Sequence, residues 1–252
     1  MQLIVNKWFI FCAKYIRNSI LLLTDEILLF DQTHHHYSSV WYSHHMKTPL
    51  TFLLSLTNPK VLYDRNAVLS KPCPIPPEFG VYAWYFRDIP NNVPLDKCIT
   101  KNSLTLLYVG ISPNKVSKPN SRQDIKKRIK THYQGNAEGS TLRKTLGILL
   151  SGKSQFPLRR VGSGNRKTFT HLGEQWLDNW MERNAFVCWQ THPQPEKLEE
   201  KMIKTLSLPL NIKGNDHIFA SELNRLRKEA TRTARELPTF IEDKGQSRRK
   251  KS

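Results

Sequence analysis

The fold of this chain is decided by two short aromatic and β-branched runs, GVYAWYF at residues 80–86 and LTLLYVG at residues 104–110. Residues of these types favour strands, and a loop rich in Pro and Asn separates the two runs. We predict that they are paired strands. The Pro-rich stretch at residues 71–77 cannot continue a helix or donate ladder hydrogen bonds, so it predicts an extended linker leading into the first strand.

Helical patterns follow the second strand. Ser121 and Asp124 form a helix-starting capping box, and apolar residues recur after them at helical spacing until about Gly135. Further patterns predict a helix starting at residue 140 or 141, a hairpin over residues 159–169, a helix through residues 176–181, a strand over residues 185–190, and helices over residues 195–206 and 219–236.

This order of elements predicts a mixed α/β (α+β) fold with a small central mixed or antiparallel β-sheet flanked by helices and carrying insertions. Changes in composition and apolar patterning divide the chain into four parts. We expect a poorly structured extension at residues 1–45, a lead-in segment and Pro-rich linker at residues 46–74, the patterned domain at residues 75–220, and a basic helix with a disordered tail at residues 221–252.

The charge of the chain indicates a polyanionic partner. Lys and Arg number 39 against 21 Asp and Glu, which gives a net charge of +18 and a pI near 9.9. Nucleic acid is the leading candidate, and a solubilising surface charge is the alternative. The candidate nucleic-acid contacts are Lys126, Lys127, Lys130, Arg143, Arg166 and Lys167.

The cysteines and the apolar segments indicate a cytoplasmic protein. Cys12, Cys73, Cys98 and Cys188 show neither metal-ligand spacing nor a secreted disulfide pattern, so a reducing compartment is the expectation. Charged residues interrupt the apolar stretches of residues 1–30 well before the roughly 20 residues that crossing a bilayer requires, so we predict no transmembrane segment.

Five short motifs, in order, resemble those of the GIY-YIG nuclease family. Together they span about half of the chain, and their succession is far more specific than any one of them. The motifs are GVY at residues 80–82, YVG at residues 108–110, IKKRIKTHY at residues 125–133, LE with MI at residues 198–203, and PLN at residues 209–211.

The resemblance implies a fold, a chemistry and a set of site residues. It implies a GIY-YIG-like endonuclease domain at residues 75–220 that cuts nucleic acid, with DNA the expected form, to 5′-phosphate and 3′-hydroxyl products. It further implies that Glu199 holds one Mg²⁺ (or Mn²⁺) ion, that Arg128 contacts the scissile phosphate and that Tyr82 helps to activate water. The full set of implied catalytic residues is Tyr82, Tyr108, Arg128, His132, Glu199 and Asn211.

Helical geometry favours Glu199 over its neighbour Glu200 for the metal. At about 100° per residue, Glu199 lies beside the apolar stripe that includes Leu198 and Met202. Glu200 points outward with Lys204 four residues later, as in a solvated ion pair. A carboxylate at the edge of an apolar stripe needs a partner, which is either a hard cation such as Mg²⁺ or a buried Arg or Lys.

The same geometry places Arg128 and His132 on one flank of their helix, beside its buried face. Arg128 could instead pair with Asp124, although a planar fork of donors suits phosphate oxygens. His132 could equally be structural. The amide of Asn211 could hydrogen-bond a tyrosine or the glutamate of the site, or it could belong to a plain turn after Pro209.

Two other functions compete with the nuclease hypothesis. A nucleic-acid-binding module that has lost catalysis would be expected to carry substitutions at the arginine or the glutamate, and neither position is substituted. A membrane-peripheral interaction protein would use the apolar N-terminal segment and the basic tail to bind acidic lipid.

Overall fold

The computed structural model describes residues 49–113 and 120–241. The extension predicted at residues 1–45 and the last part, residues 242–252, of the predicted basic helix and tail lie outside these ranges. By its contacts the chain divides into two compact units, residues 1–54 and 55–252. The described residues of the first unit, 49–54, lie in helix α1 (Pro49–Thr57). The second unit contains the sheet and the remaining helices.

Four antiparallel strands form the central sheet, and two more form a separate hairpin. The strands are β1 (Gly80–Phe86), β2 (Thr100–Lys101), β3 (Leu104–Ser112), β4 (Arg159–Val161), β5 (Arg166–Thr168) and β6 (Ala185–Thr191). The order in the sheet is β2-β3-β1-β6, and β4 pairs with β5. The predicted pairing of the two aromatic runs and the predicted hairpin are confirmed.

Strand β1 is buried along its whole length. Tyr82, Trp84 and Phe86 alternate along the strand and belong to the main hydrophobic core. On the opposite face, the hydroxyl of Tyr85 donates to the carbonyl of Leu56 at 2.8 Å. Burial on both faces explains why the run reads as continuously apolar rather than alternating.

Helices cover the sheet. Their bounds are α2 (Arg65–Leu69), α3 (Ile125–Gln134), α4 (Thr141–Leu149), α5 (Ser151–Ser154), α6 (Thr170–Asn184), α7 (Pro195–Thr205) and α8 (Phe219–Glu236). The helices predicted from residue 140, over residues 195–206 and over residues 219–236 are confirmed. Residues 55–74 contain α2, and Val68 of this helix is part of the core of the second unit.

Helix α3 begins later than the sequence predicted. Its N-cap is Asp124, whose carboxylate accepts the backbone N–H of Lys127 at 2.7 Å. Ser121 accepts the N–H of Gln123 instead and lies outside the helix. The backbone N–H of Ile125 donates to the carbonyl of Glu78 at 2.9 Å, and this contact with the segment before β1 sets the start of the helix.

Arg143 corrects one predicted nucleic-acid contact, because its side chain is fully buried. It pairs with Glu174 at 2.7 Å and with Asp178 at 2.6 Å, and it donates to the carbonyls of His132 and Tyr133 at 3.2 Å. A buried guanidinium is stable only with such partners. Arg143 therefore joins α4 to α6 and to the end of α3, and it cannot contact a substrate.

Candidate active site

Antiparallel pairing brings the two candidate tyrosines together. Tyr82 on β1 lies opposite Gly110 on β3, and Trp84 lies opposite Tyr108. Tyr82 and Tyr108 are therefore diagonal neighbours on one face of the sheet, within reach of each other. Tyr82 is 1% exposed and Tyr108 is half-buried, so solvent reaches this face at Tyr108.

His132 lies at the centre of this face. Its Nε2 is 2.9 Å from the hydroxyl oxygen of Tyr82, and its Nδ1 is 2.7 Å from Oγ of Ser140. The rings of Tyr82, Trp84 and Tyr108 lie around it at centroid distances of 5.4, 5.7 and 6.4 Å. This arrangement places His132 beside both candidate tyrosines.

The imidazole of His132 is neutral. Burial lowers its pKa well below the ordinary value, and the cations Arg128 and Arg143 lower it further. A neutral imidazole donates from one nitrogen and accepts at the other. Ser140, which also caps α4 by accepting the N–H of Arg143 at 3.1 Å, is a site residue that sequence reasoning treated only as a helix start.

Arg128 lies one turn before His132 and is half-buried. Its Nη1 donates to the carbonyl of Gly139 at 2.9 Å. Burial raises the pKa of Tyr82, whereas the charge of Arg128 and a hydrogen bond from it lower that pKa. Asp124, the alternative partner considered for Arg128, pairs with Lys127 at 3.0 Å.

Glu199 enters the site from α7, which packs against β3 and β1. Burial raises the pKa of its carboxyl to about 7, while Lys213 and Arg128 lower it and Glu196 raises it further. The same carboxylate raises the pKa of both Tyr82 and Tyr108, so these groups lie close enough to interact.

Glu200 has the position that helical geometry predicted for it. It is exposed and binds Lys204 at 2.9 Å.

Asn211 has a different partner from the one suggested by its place in the motif. Its amide accepts the backbone N–H of Val109 and donates to the carbonyl of Val109, both at 2.9 Å. It therefore binds neither a site tyrosine nor Glu199 through these groups. Because Val109 follows Tyr108, Asn211 holds the segment after α7 against β3 and positions Tyr108.

The remaining predicted nucleic-acid contacts lie on two elements. Lys126, Lys127 and Lys130 are on α3, where Lys127 is exposed and the other two are half-buried. Arg166 and Lys167 are on β5, and Arg166 is exposed. Both sets therefore reach the surface, in contrast to Arg143.

The donor set of the site fits Mg²⁺ bound through a single protein carboxylate. Among residues 49–113 and 120–241, no group of three or more His, Cys, Asp or Glu side chains could enclose a metal ion. Mg²⁺ usually keeps several waters and binds one or two carboxylates together with substrate phosphates. A half-buried carboxyl whose charged form is disfavoured by burial suits this mode, because a cation would restore that form.

The sheet and the cluster of two phenols, an imidazole, a guanidinium and a carboxylate define a nuclease-type domain. The sequence model of one family, the GIY-YIG catalytic domain, matches residues 80–229, more than half of the chain. The chain belongs to this family, whose members act on nucleic acid. Neither the curated proteins nor the solved structures gave a significant match. In the described part of the chain, every helix is too short or too polar to cross a membrane.

Proposed function

We propose that this chain is a Mg²⁺-dependent endonuclease that hydrolyses phosphodiester bonds in DNA, with Mn²⁺ as a substitute ion. The observation that carries the proposal is the 2.9 Å hydrogen bond between Tyr82 and His132, with Arg128 beside the same phenol. A phenol held between a neutral imidazole and a cation is suited to take a proton from water next to a phosphate. The family match supports the substrate class.

Arg128 is the residue proposed to bind the scissile phosphate. Its donation to the carbonyl of Gly139 holds one edge of the guanidinium in place. The remaining N–H groups of the fork are suited to phosphate oxygens. Its positive charge would stabilise the negative charge that develops around phosphorus in the transition state.

Tyr82 and His132 are proposed to move the proton. Burial raises the pKa of the phenol and lowers the pKa of the imidazole, so both rest in the neutral form. In the tautomer whose Nδ1–H donates to Ser140, Nε2 accepts the phenol O–H. As water attacks phosphorus, its proton passes to Tyr82 while the phenol proton passes to His132.

Substrate binding makes this transfer easier. Arg128 is one of two cations that lower the pKa of His132. A phosphate bound to Arg128 offsets that charge, so the imidazole becomes a better proton acceptor when the substrate is in place. The new bond joins the water oxygen to phosphorus, the bond to O3′ breaks, and O3′ takes a proton from solvent. The products carry a 5′-phosphate and a 3′-hydroxyl.

Glu199 is the residue proposed to hold the ion. When bound, Mg²⁺ would polarise the phosphate and stabilise the departing oxygen. Tyr108 borders the same space with its half-buried phenol, and Asn211 positions it through Val109.

The test is cleavage of labelled duplex DNA, single-stranded DNA and RNA by the full chain, with Mg²⁺, Mn²⁺ or EDTA. We expect DNA cleavage with either ion and none with EDTA. Glu199→Gln and Arg128→Ala should each lower the rate by about 100-fold or more. Glu200→Gln, a change of the same kind one residue away, should keep the wild-type rate.

Two outcomes would contradict the proposal. Equal cleavage by wild type, Glu199→Gln and Arg128→Ala would remove these residues from the mechanism. Binding of DNA without cleavage under every ion condition would assign the chain to the class of inactive nucleic-acid-binding modules.

A further inference from the structure

Helix α8 carries two kinds of cation. Some are neutralised on the helix itself: Arg225 binds Glu222 at 2.8 Å and Glu229 at 2.9 Å. Arg232 likewise binds Glu236 at 2.9 Å. Arg227, Lys228 and Arg235, by contrast, form no ion pair with any residue in the ranges that the structure describes.

The unpaired cations line one open groove, together with the ion-paired Arg225, Glu229 and Arg232. Arg227 and Arg235 border it from α8, and Lys144 borders it from α4, the helix packed beside α8. The groove has a volume of about 790 Å³, enough for several phosphate groups with their water. Arg227 and Lys144 are half-buried and Arg235 is exposed, so the charges face the groove from its wall and its rim.

Positive charge outweighs negative charge in the lining of this groove, where six Lys and Arg side chains stand against the single acid Glu229. Burial lowers the pKa of Lys144, and Arg227, Lys167 and Arg235 lower it further, while Glu138 is the acid that opposes them. Holding like charges together costs free energy unless an anion lies among them. Solvated surface lysines kept only for solubility would not be gathered against one another in this way.

One residue of the groove, Arg227, also interacts electrostatically with the candidate active site. Burial raises the pKa of Tyr108, and Arg227 is close enough to be one of the cations that lower it. Arg227 is thus near Tyr108 on one side and near Lys144 on the other. A strand leaving the catalytic face past Tyr108 would meet Arg227 first and then Lys144 and Arg235.

We propose that Arg227, Lys144 and Arg235 form a phosphate track that binds the backbone of the nucleic-acid strand leading away from the cleavage site. The proposal rests on the proposed nuclease function for its substrate class. From Arg227 to Arg235 the helix rises about 12 Å, which matches three to four nucleotides of one duplex strand. Backbone contacts of this kind position a substrate and carry no base specificity.

The test is the salt dependence of binding to a labelled DNA duplex in EDTA, so that no cleavage is needed. The slope of log K against log salt is negative, and each lost phosphate contact should reduce its magnitude by about 0.9. We expect this decrease for Arg227→Gln, and a decrease of about 2.7 for the variant in which Lys144, Arg227 and Arg235 are all Gln. Lys153→Gln on α5, outside the groove, removes the same charge and should leave the slope unchanged.

The outcomes separate the track from the nuclease. If wild type cleaves DNA but Arg227→Gln has the same salt slope as Lys153→Gln, the track is wrong and the nuclease stands. If the variants give a shallower slope but no protein cleaves DNA, the phosphate track is supported and the nuclease proposal is contradicted. Absence of binding to duplex or single-stranded DNA would overturn the track. Should Arg227→Gln fail to fold, the Lys144→Gln and Arg235→Gln variants give the same measurement.

Discussion

The phenol of Tyr82 packs against Gly110 so closely that a β-carbon at residue 110 would lie 2.6 Å from the phenol oxygen. Pairing of Tyr82 with Gly110 across β1 and β3 produces this contact. The YVG motif therefore needs a glycine at residue 110, because the phenol of Tyr82 occupies the space that a side chain would fill. Any side chain there would push the phenol away from His132.

Gly110→Ala should lower the cleavage rate through displacement of Tyr82. A shift of about 1 Å in a catalytic group can cost about 100-fold in rate. Gly152→Ala is the matched control, because a β-carbon at Gly152 meets nothing within 4 Å. The measurement is the cleavage rate of each variant alongside its thermal unfolding. Wild-type cleavage by a folded Gly110→Ala protein would show that the position of Tyr82 is not critical.

In the absence of metal, the buried carboxyl of Glu199 should lower the free energy of unfolding as pH rises. Burial raises the pKa of its carboxyl from 4.5 to about 7, so between these values the folded state holds a proton that the unfolded state has lost. The free energy of unfolding then falls with rising pH, by up to about 3 kcal/mol in total. His132 acts in the opposite direction over part of this range, so the variants are compared with one another. Between pH 5 and pH 8 in EDTA, urea denaturation should show a larger loss of stability in wild type and Glu200→Gln than in Glu199→Gln. A similar loss in Glu199→Gln would contradict the assignment.

His132 should have the opposite effect: it should lower the free energy of unfolding as pH falls. Because the pKa of His132 lies well below 6.5 in the folded state, only the unfolded state gains this proton as pH falls below 6.5. The stability contribution is therefore present above pH 6.5 and lost on acidification. His132→Asn should reduce the acid sensitivity seen in urea denaturation. Nitrogen NMR signals of the His132 ring that titrate near pH 6.5 would be inconsistent with its burial as a neutral group.

Arg143→Ala should be among the most damaging single substitutions. It would leave the buried carboxylate of Glu174 without a cation and Asp178 with only its longer contact to Arg65 at 3.7 Å. Breaking such a pair costs about 3 to 5 kcal/mol. Arg166→Ala, which removes the same charge from an exposed position on β5, should change stability by less than about 0.5 kcal/mol. The free energy of unfolding from urea denaturation compares the two, and equal values would contradict the structural role of Arg143.

Local patterns were sufficient for much of the fold. The aromatic runs of β1 and β3 and the apolar spacing of α7 depend on neighbours within a few residues, so these elements could be predicted from the sequence, whereas the helices α1 and α2 and the short strand β2 were not. The choice of Glu199 over Glu200 as the residue beside the buried stripe followed from the same spacing, and the Glu200–Lys204 ion pair confirms the outward position of Glu200. Helical periodicity alone determines which of two adjacent residues points outward.

Tertiary structure decided which side chains meet. The sequence predicts Arg143 as a nucleic-acid contact, but Glu174 and Asp178, more than 30 residues along the chain, enclose it. Asn211 binds the backbone of Val109, and Ser140 binds His132, through packing that no local spacing records. The sequence by itself determined the elements and the residue types of the site, since these depend on short-range periodicity. Only the folded chain decided the partners, because burial and distance are properties of segments brought together from far apart.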